Sequence, residues 1–224
     1  SSRATRGRMS LTCAPTWKSF ENYLATAMTK TFDYYFDFDS PASYLAFTQL
    51  GKLATETGAA AVFKPMLLGG VFQATGNHSP ATIAAKGKYT FADFARFGKR
   101  YGVPLNVNPN FPINTLMLMR GAIGLQLTDA ARFMPYCTAV YQAIWVDSKN
   151  LNDPGAVGQV LQAAGFDPMA MMALANAQST KDALKAATEA AVARGVFGAP
   201  TFFVGQQMFW GQDRLDFVRD ALNA

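Results

Sequence analysis

The chain is poor in the residues that most active sites rely on. Its 224 residues include one histidine and two cysteines. The lone His78 sits in a turn-rich stretch. It leaves no multi-histidine metal site and argues against a Ser-His-Asp arrangement. Cys13 and Cys137 match no metal spacing and form no Cys-x-x-Cys, so both read as free thiols in a reducing compartment. Charged residues make up 16% and hydrophobic residues 50%. No apolar run reaches the ~18 residues of a membrane span, because Arg120 interrupts the richest stretch, Leu116–Ile123. Walker and dinucleotide-binding fingerprints are missing as well.

The net charge of +5 is concentrated at one end. Arg3, Arg6, Arg8 and Lys18 against Glu21 give residues 1–27 a charge of +3. The remainder is nearly balanced, unlike a nucleic-acid-binding surface. The first 27 residues have no continuous apolar segment, so they do not read as a secretory signal. Met28-Thr-Lys-Thr looks like a natural start, which leaves the extension as an artificially added segment, a translated upstream region or a transit peptide. Trp17, Phe20, Tyr23 and Leu24 recur at helical spacing, predicting a short helix over 15–27. The expected location is cytoplasmic, or mitochondrial if the extension is a transit peptide. Asn77-His78-Ser79 matches a glycosylation sequon, but with no secretory signal and Pro80 next it is not read as one.

What is present is a strand signal running into a helix signal. Phe32–Phe38 is an aromatic run of strand length. Ser40-Pro41 then opens a helix to Thr57, with serine as N-cap and proline at the first helical position. Backbone N–H groups and a hydroxyl converge there at a positive helix end, which suits an anion. Alone, the pair reads most simply as a cap. Gly58 ends this helix and Ala59–Pro65 reads as a second strand, parallel to the first through a right-handed crossover.

Helices are predicted at Thr90–Tyr101, with Phe91, Phe94 and Phe97 as its buried stripe, and over about 115–147 with a turn near Leu127–Asp129. Others follow near Pro154–Ala164, Pro168–Asn176 and Asp182–Arg194. Leu67–His78 reads as a turn, a short helix and a loop, and Leu105–Asn114 as extended. A hairpin at Pro200–Val204 and Met208–Trp210 and a helix at Asp213–Leu222 close the chain. Met117, Met119, Met169, Met171 and Met172 read as core filler. The organisation is an N-terminal extension (1–29), an α/β domain from 30–66 plus 181–224, and an inserted helical domain from 67–180.

Two end segments, Ser40-Pro41-Ala42-Ser43 and Gly198-Ala199-Pro200-Thr201, together resemble the thioredoxin superfamily. There a strand–turn–helix carries Cys-x-x-Cys against a cis-proline loop. Here serine stands at both cysteine positions, so no dithiol can be cycled. More closely, the chain resembles the kappa-class glutathione transferase family, including the bacterial 2-hydroxychromene-2-carboxylate isomerases. The stretches that carry this are Phe36–Ala46, Lys64–Phe72, Ala74–Pro80, Ala85–Gly87, Asn108–Pro112, Gly195–Thr201 and Phe209–Leu215.

The resemblance implies a thioredoxin-like fold with a large helical insertion, glutathione as cofactor or substrate, and a homodimer. Ser40 falls on the thiol-activating serine. Asn77, Lys86, Ala199, the cis-proline Pro200, Gln212 and Asp213 fall on positions that hold the tripeptide. Tyr44, Phe111, Asn114 and Arg120 are candidates for the pocket of a small aromatic substrate, with Asn114 and Arg120 offered to its carboxylate. Asp39 departs from the family, which often has an apolar residue there, and its charge opposes a thiolate unless it points to solvent. The activity implied is isomerisation of 2-hydroxychromene-2-carboxylate to trans-o-hydroxybenzylidenepyruvate by transient thiolate addition. A glutathione transferase or peroxidase on other electrophiles is the alternative, followed by a non-catalytic or chaperone-like thioredoxin-fold protein. No metal, nucleic acid or membrane partner is expected.

Overall fold

The computed structural model describes residues 30–224. The expected helix at 15–27 and Cys13 lie outside the described residues.

Strand β1 (Lys30–Phe36) is followed by α1 (Pro41–Thr57) and β2 (Ala59–Pro65), a β-α-β unit whose strands pair in parallel. Strand β1 starts two residues before the aromatic run and stops two short of its end. The reason is local: the Asp37 carboxylate accepts the Asp39 N–H at 3.0 Å and turns the chain out of the sheet. Ser40 caps α1, its Oγ accepting the Ser43 N–H at 3.0 Å, and Gly58 ends the helix at φ 68°.

Next come α2 (Leu68–Thr75), a 3₁₀ turn (Pro80–Thr82) and α3 (Ala84–Tyr101). Helix α3 begins six residues earlier than predicted. Gly87, in the added turns, is a contact position, where an added Cβ would lie 3.1 Å from the Ala81 backbone. An irregular stretch leads to α4 (Leu116–Thr128), which a turn at Asp129 separates from α5 (Ala130–Trp145). Then α6 (Pro154–Ala163), α7 (Pro168–Asn176) and α8 (Gln178–Ala193) follow, and α8 starts four residues early because Gln178 and Asp182 bond side chain to side chain at 2.8 Å. Strands β3 (Thr201–Val204) and β4 (Gln207–Trp210) form the hairpin. The closing helix is split into a 3₁₀ turn (Gln212–Arg214) and α9 (Leu215–Asn223).

The sheet order is β2-β1-β3-β4, with β1 antiparallel to β3. All four strands come from the two ends of the described chain. Strand β1 is central and buries aromatics on both faces. Phe32, Tyr34 and Phe36 project to one side, where Tyr34 stacks on Phe202 at 5.5 Å and Phe36 meets Phe63, Phe133 and Tyr141. On the other side Tyr35 packs with Val71, Ala191, Val196 and Phe203. Burying one such ring contributes about 1.5–3 kcal/mol, so this strand anchors both layers.

The helical segments grip the turn between β1 and α1. Trp145 Nε1 donates to the Phe38 carbonyl at 2.8 Å, the Ile113 N–H to Asp39 at 2.7 Å and the Thr115 hydroxyl to Asp37 at 2.6 Å. From the start of α2 the Leu68 N–H also donates to Asp37, at 2.8 Å. Met119 and Met171 are core residues as expected, but Met117, Met169 and Met172 are exposed. They sit on outward faces of α4 and α7, a placement their side-chain type does not reveal.

Candidate active site

The turn Asp37–Asp39 is held from four sides, which fixes where α1 begins. Ser40 is 5% exposed at the N-terminus of this 17-residue helix. Its Oγ accepts from Ser43 and donates to the Ala199 carbonyl at 3.1 Å. The Ala199–Pro200 peptide is cis, as the resemblance implies.

A cavity of about 360 Å³ opens over Ser40, within the range of small-molecule sites. It gathers Ser40, Asn77, Ala199, Gln212, Asp213 and Phe111. Asn77 Nδ2 donates to the Phe197 carbonyl at 2.8 Å and so ties the cis-proline loop to the chain after α2. Gln212 is buried, and its carbonyl accepts the Tyr101 hydroxyl at 2.8 Å. Burial first, then the nearby Asp213 carboxylate, push that hydroxyl up to about 12. Gly211 reaches φ 108° to turn the chain into this end of the cavity, and its N–H bonds the Pro200 carbonyl at 3.0 Å.

Several candidates stand elsewhere. Lys86 is exposed on the first turn of α3, beside the lining residue Gly87. Pro200 is buried beneath the cavity floor. Tyr44 does not wall the cavity, because it faces the core, 6% exposed, and its hydroxyl donates to the Pro104 carbonyl at 2.7 Å. Asn114 precedes α4, accepts the Leu116 N–H at 3.2 Å and lies outside this cavity. Arg120 lines a different cavity, beyond α2. Neither of the last two lines the cavity beside Ser40. Asp213 is ion-paired with Arg214, so its carboxylate already has a cation.

Asp39 does not point away to solvent. It lines the cavity, and burial raises its carboxyl to about 7. The Ile113 N–H works against that rise and the Asp37 carboxylate adds to it. Asp37 is itself raised by burial despite its hydrogen bonds. Below about pH 7 Asp39 is therefore largely neutral, and the opposition of its charge to a thiolate is relieved.

Sequence reasoning did not find Asp37, Thr115 or Trp145, whose role is to hold the turn. Nor did it assign Phe91 and Phe94 to the cavity wall, although their i, i+3 spacing showed they share a face. Among the described residues no group of His, Cys, Asp and Glu could hold a metal ion.

A helix N-terminus and a hydroxyl lie at the centre, a cis-proline loop carbonyl lies beside them, and a buried amide and a carboxylate lie at the far end. A DsbA-like thioredoxin-domain model matches residues 31–223. The 2-hydroxychromene-2-carboxylate isomerase of Sphingobium xenophagum is 34% identical over 197 residues, covering 87% of this chain and 99% of that one. The glutathione S-transferase kappa 1 of Caenorhabditis elegans is 27% identical, covering 85% and 89%. A solved structure of 2-hydroxychromene-2-carboxylate isomerase superposes with a TM-score of 0.76 at 31% identity, over 86% of this chain and 94% of that one. The chain belongs to the DsbA-like thioredoxin-domain family that contains these isomerases and the kappa-class glutathione transferases.

Proposed function

We propose that the chain is a glutathione-dependent isomerase that converts 2-hydroxychromene-2-carboxylate to trans-o-hydroxybenzylidenepyruvate. The observation that carries this is a serine hydroxyl at a helix N-terminus, beside a cis-proline loop, in a chain with no Cys-x-x-Cys. Glutathione supplies the thiolate that adds to the ring carbon and departs again once the opened ring has rotated. Ser40 donates its hydroxyl proton to that sulfur, and the positive end of α1 favours the charged form. The Ala199 backbone pairs with the cysteinyl segment as a strand edge pairs with a peptide. Asn77 and Lys86 receive the glycyl end, and Gln212 and Asp213 the γ-glutamyl end. Phe91, Phe94 and Phe111 form the apolar wall beside Ser40, with Phe91 and Phe111 edge to face at 5.5 Å. A flat aromatic substrate suits that wall.

The reading divides the chain into a thioredoxin-like unit, 30–66 plus 181–224, and a helical insertion, 67–180. The insertion supplies both the aromatic wall and the bonds that fix the Ser40 turn. The second reading, a kappa-like transferase acting on other electrophiles, is favoured by the kappa-class relatives. One assay separates the two. Purified protein is given the chromene carboxylate with and without glutathione. The isomerase reading expects conversion that requires glutathione and consumes none. Stoichiometric loss of glutathione supports the transferase, and conversion independent of glutathione refutes both.

A further inference from the structure

Helix α2 separates two cavities. Its Leu68 and Phe72 face the Ser40 site, while Leu67, Gly70 and Ala74 face a second space of about 650 Å³ closed by α4 and α8. Arg120, Lys181 and Lys185 line this space with a single carboxylate, Glu189. Glu189 lies 3.8 Å from Lys185, and both side chains are well exposed. Arg120 and Lys181 have no carboxylate partner among the described residues.

Arg120 is the informative group. Its Nε is sealed from solvent, so the open side of the guanidinium is its NH1 end, whose one hydrogen bond is to Met117 Sδ at 3.7 Å. A guanidinium is always charged and offers five N–H donors in a planar fork. A guanidinium that lines an apolar-walled cavity with no carboxylate paired to it lacks a counter-ion, which an entering anion would supply. The space beside it has apolar walls from Leu67, Leu184 and Val192. Cations at one side and hydrocarbon at the other match a ligand of mixed character.

We infer that the cavity between α2, α4 and α8 binds a small amphipathic organic carboxylate. Its anion is held by Arg120 and Lys181, and its apolar body lies against Leu67, Leu184 and Val192. This site is separate from the Ser40 site and does not depend on how that site is read.

The test uses 4-bromobenzoate as probe with the full chain. Anomalous diffraction from a soaked crystal locates the bromine, and calorimetry gives the affinity. The expected result is a bromine between α2 and α8 with the carboxylate on the Arg120 guanidinium. Arg120→Leu lowers the affinity by about tenfold or more, the loss of a charge-assisted hydrogen bond. Lys181→Gln, at a partly exposed position that does not threaten folding, lowers it by about two- to fivefold. If Arg120→Leu does not fold, Lys181→Gln and Arg120→Lys decide, and Arg120→Lys should also weaken binding because it keeps the charge but loses the fork. Bromine found only in the Ser40 cavity, unchanged affinity in these variants, or a second copy of the chain filling the space would each overturn the proposal.

Discussion

The Ser40 hydroxyl donates to the Ala199 carbonyl at 3.1 Å, a contact between residues 159 apart in sequence. It joins the two ends of the chain at the candidate reaction centre. It also means that both partners are engaged before any ligand arrives. On the proposed reading, a bound thiolate would take over the hydroxyl's hydrogen bond and free the Ala199 carbonyl to accept a peptide N–H.

Asp39 makes the site pH-dependent. An ordinary aspartate titrates near about 4, whereas Asp39 in the folded chain titrates at about 7. A raised acid binds its proton more tightly in the folded state. Its contribution to stability is therefore full below the ordinary value and is lost as pH rises through about 7. Asp39→Asn should melt at nearly the wild-type temperature at acidic pH, with its advantage growing between about pH 4 and 7 and levelling off above that. A melting difference that stays constant with pH contradicts this.

The buried Asp37 carboxylate depends on its donors. Thr115→Val removes the 2.6 Å bond and leaves the site's shape nearly unchanged. The loss should be about 1.5–3 kcal/mol in denaturant unfolding, with turnover reduced because the Ser40 turn loosens. A variant as stable as wild type would show that Thr115 does not hold the turn.

Much of this was legible in the sequence. Ser40-Pro41 marked the start of α1, Gly58 its end, and the serines at the cysteine positions excluded dithiol chemistry. Local chemistry decides these features, so local sequence reveals them. What was missed depends on distant contacts. The early start of α3 was missed, where Gly87 packs against Ala81. Arg120 was offered to the substrate, yet its position on α4 turns it into the cavity behind α2. Tyr44 has an aromatic ring suited to a pocket wall, but Tyr141 and Pro104 draw it into the core.

Gly198 is needed for space. An added Cβ would lie 2.6 Å from Trp210 Nε1. Gly198→Ala should push the indole into the cavity and weaken glutathione binding measured by calorimetry. The double variant with Trp210→Phe should recover much of the loss. If the single variant binds normally, the cavity is not confined by Trp210.

Met117, Met169 and Met172 are exposed around a further apolar hollow on α4, α6 and α7. Such a patch fits a subunit interface better than a free surface, and a homodimer through this face is the expectation. Light scattering should report twice the chain mass of 24.2 kDa, and Met169→Lys should reduce it to a single chain. A wild-type particle of 24.2 kDa rules the dimer out.

The central claim is that Ser40 stabilises a bound thiolate and is not merely a helix cap. The direct measurement is the ultraviolet absorbance of the glutathione thiolate in the complex, followed against pH in wild type and Ser40→Ala. Losing one hydrogen bond to a charged sulfur is worth about 1.5–3 kcal/mol, so the apparent thiol pKa should rise by about 1–2 units. Thiolate-limited turnover should fall about 10- to 150-fold. A cap alone predicts about 1 kcal/mol of lost stability and the same thiol pKa in both proteins, a result that would contradict the account.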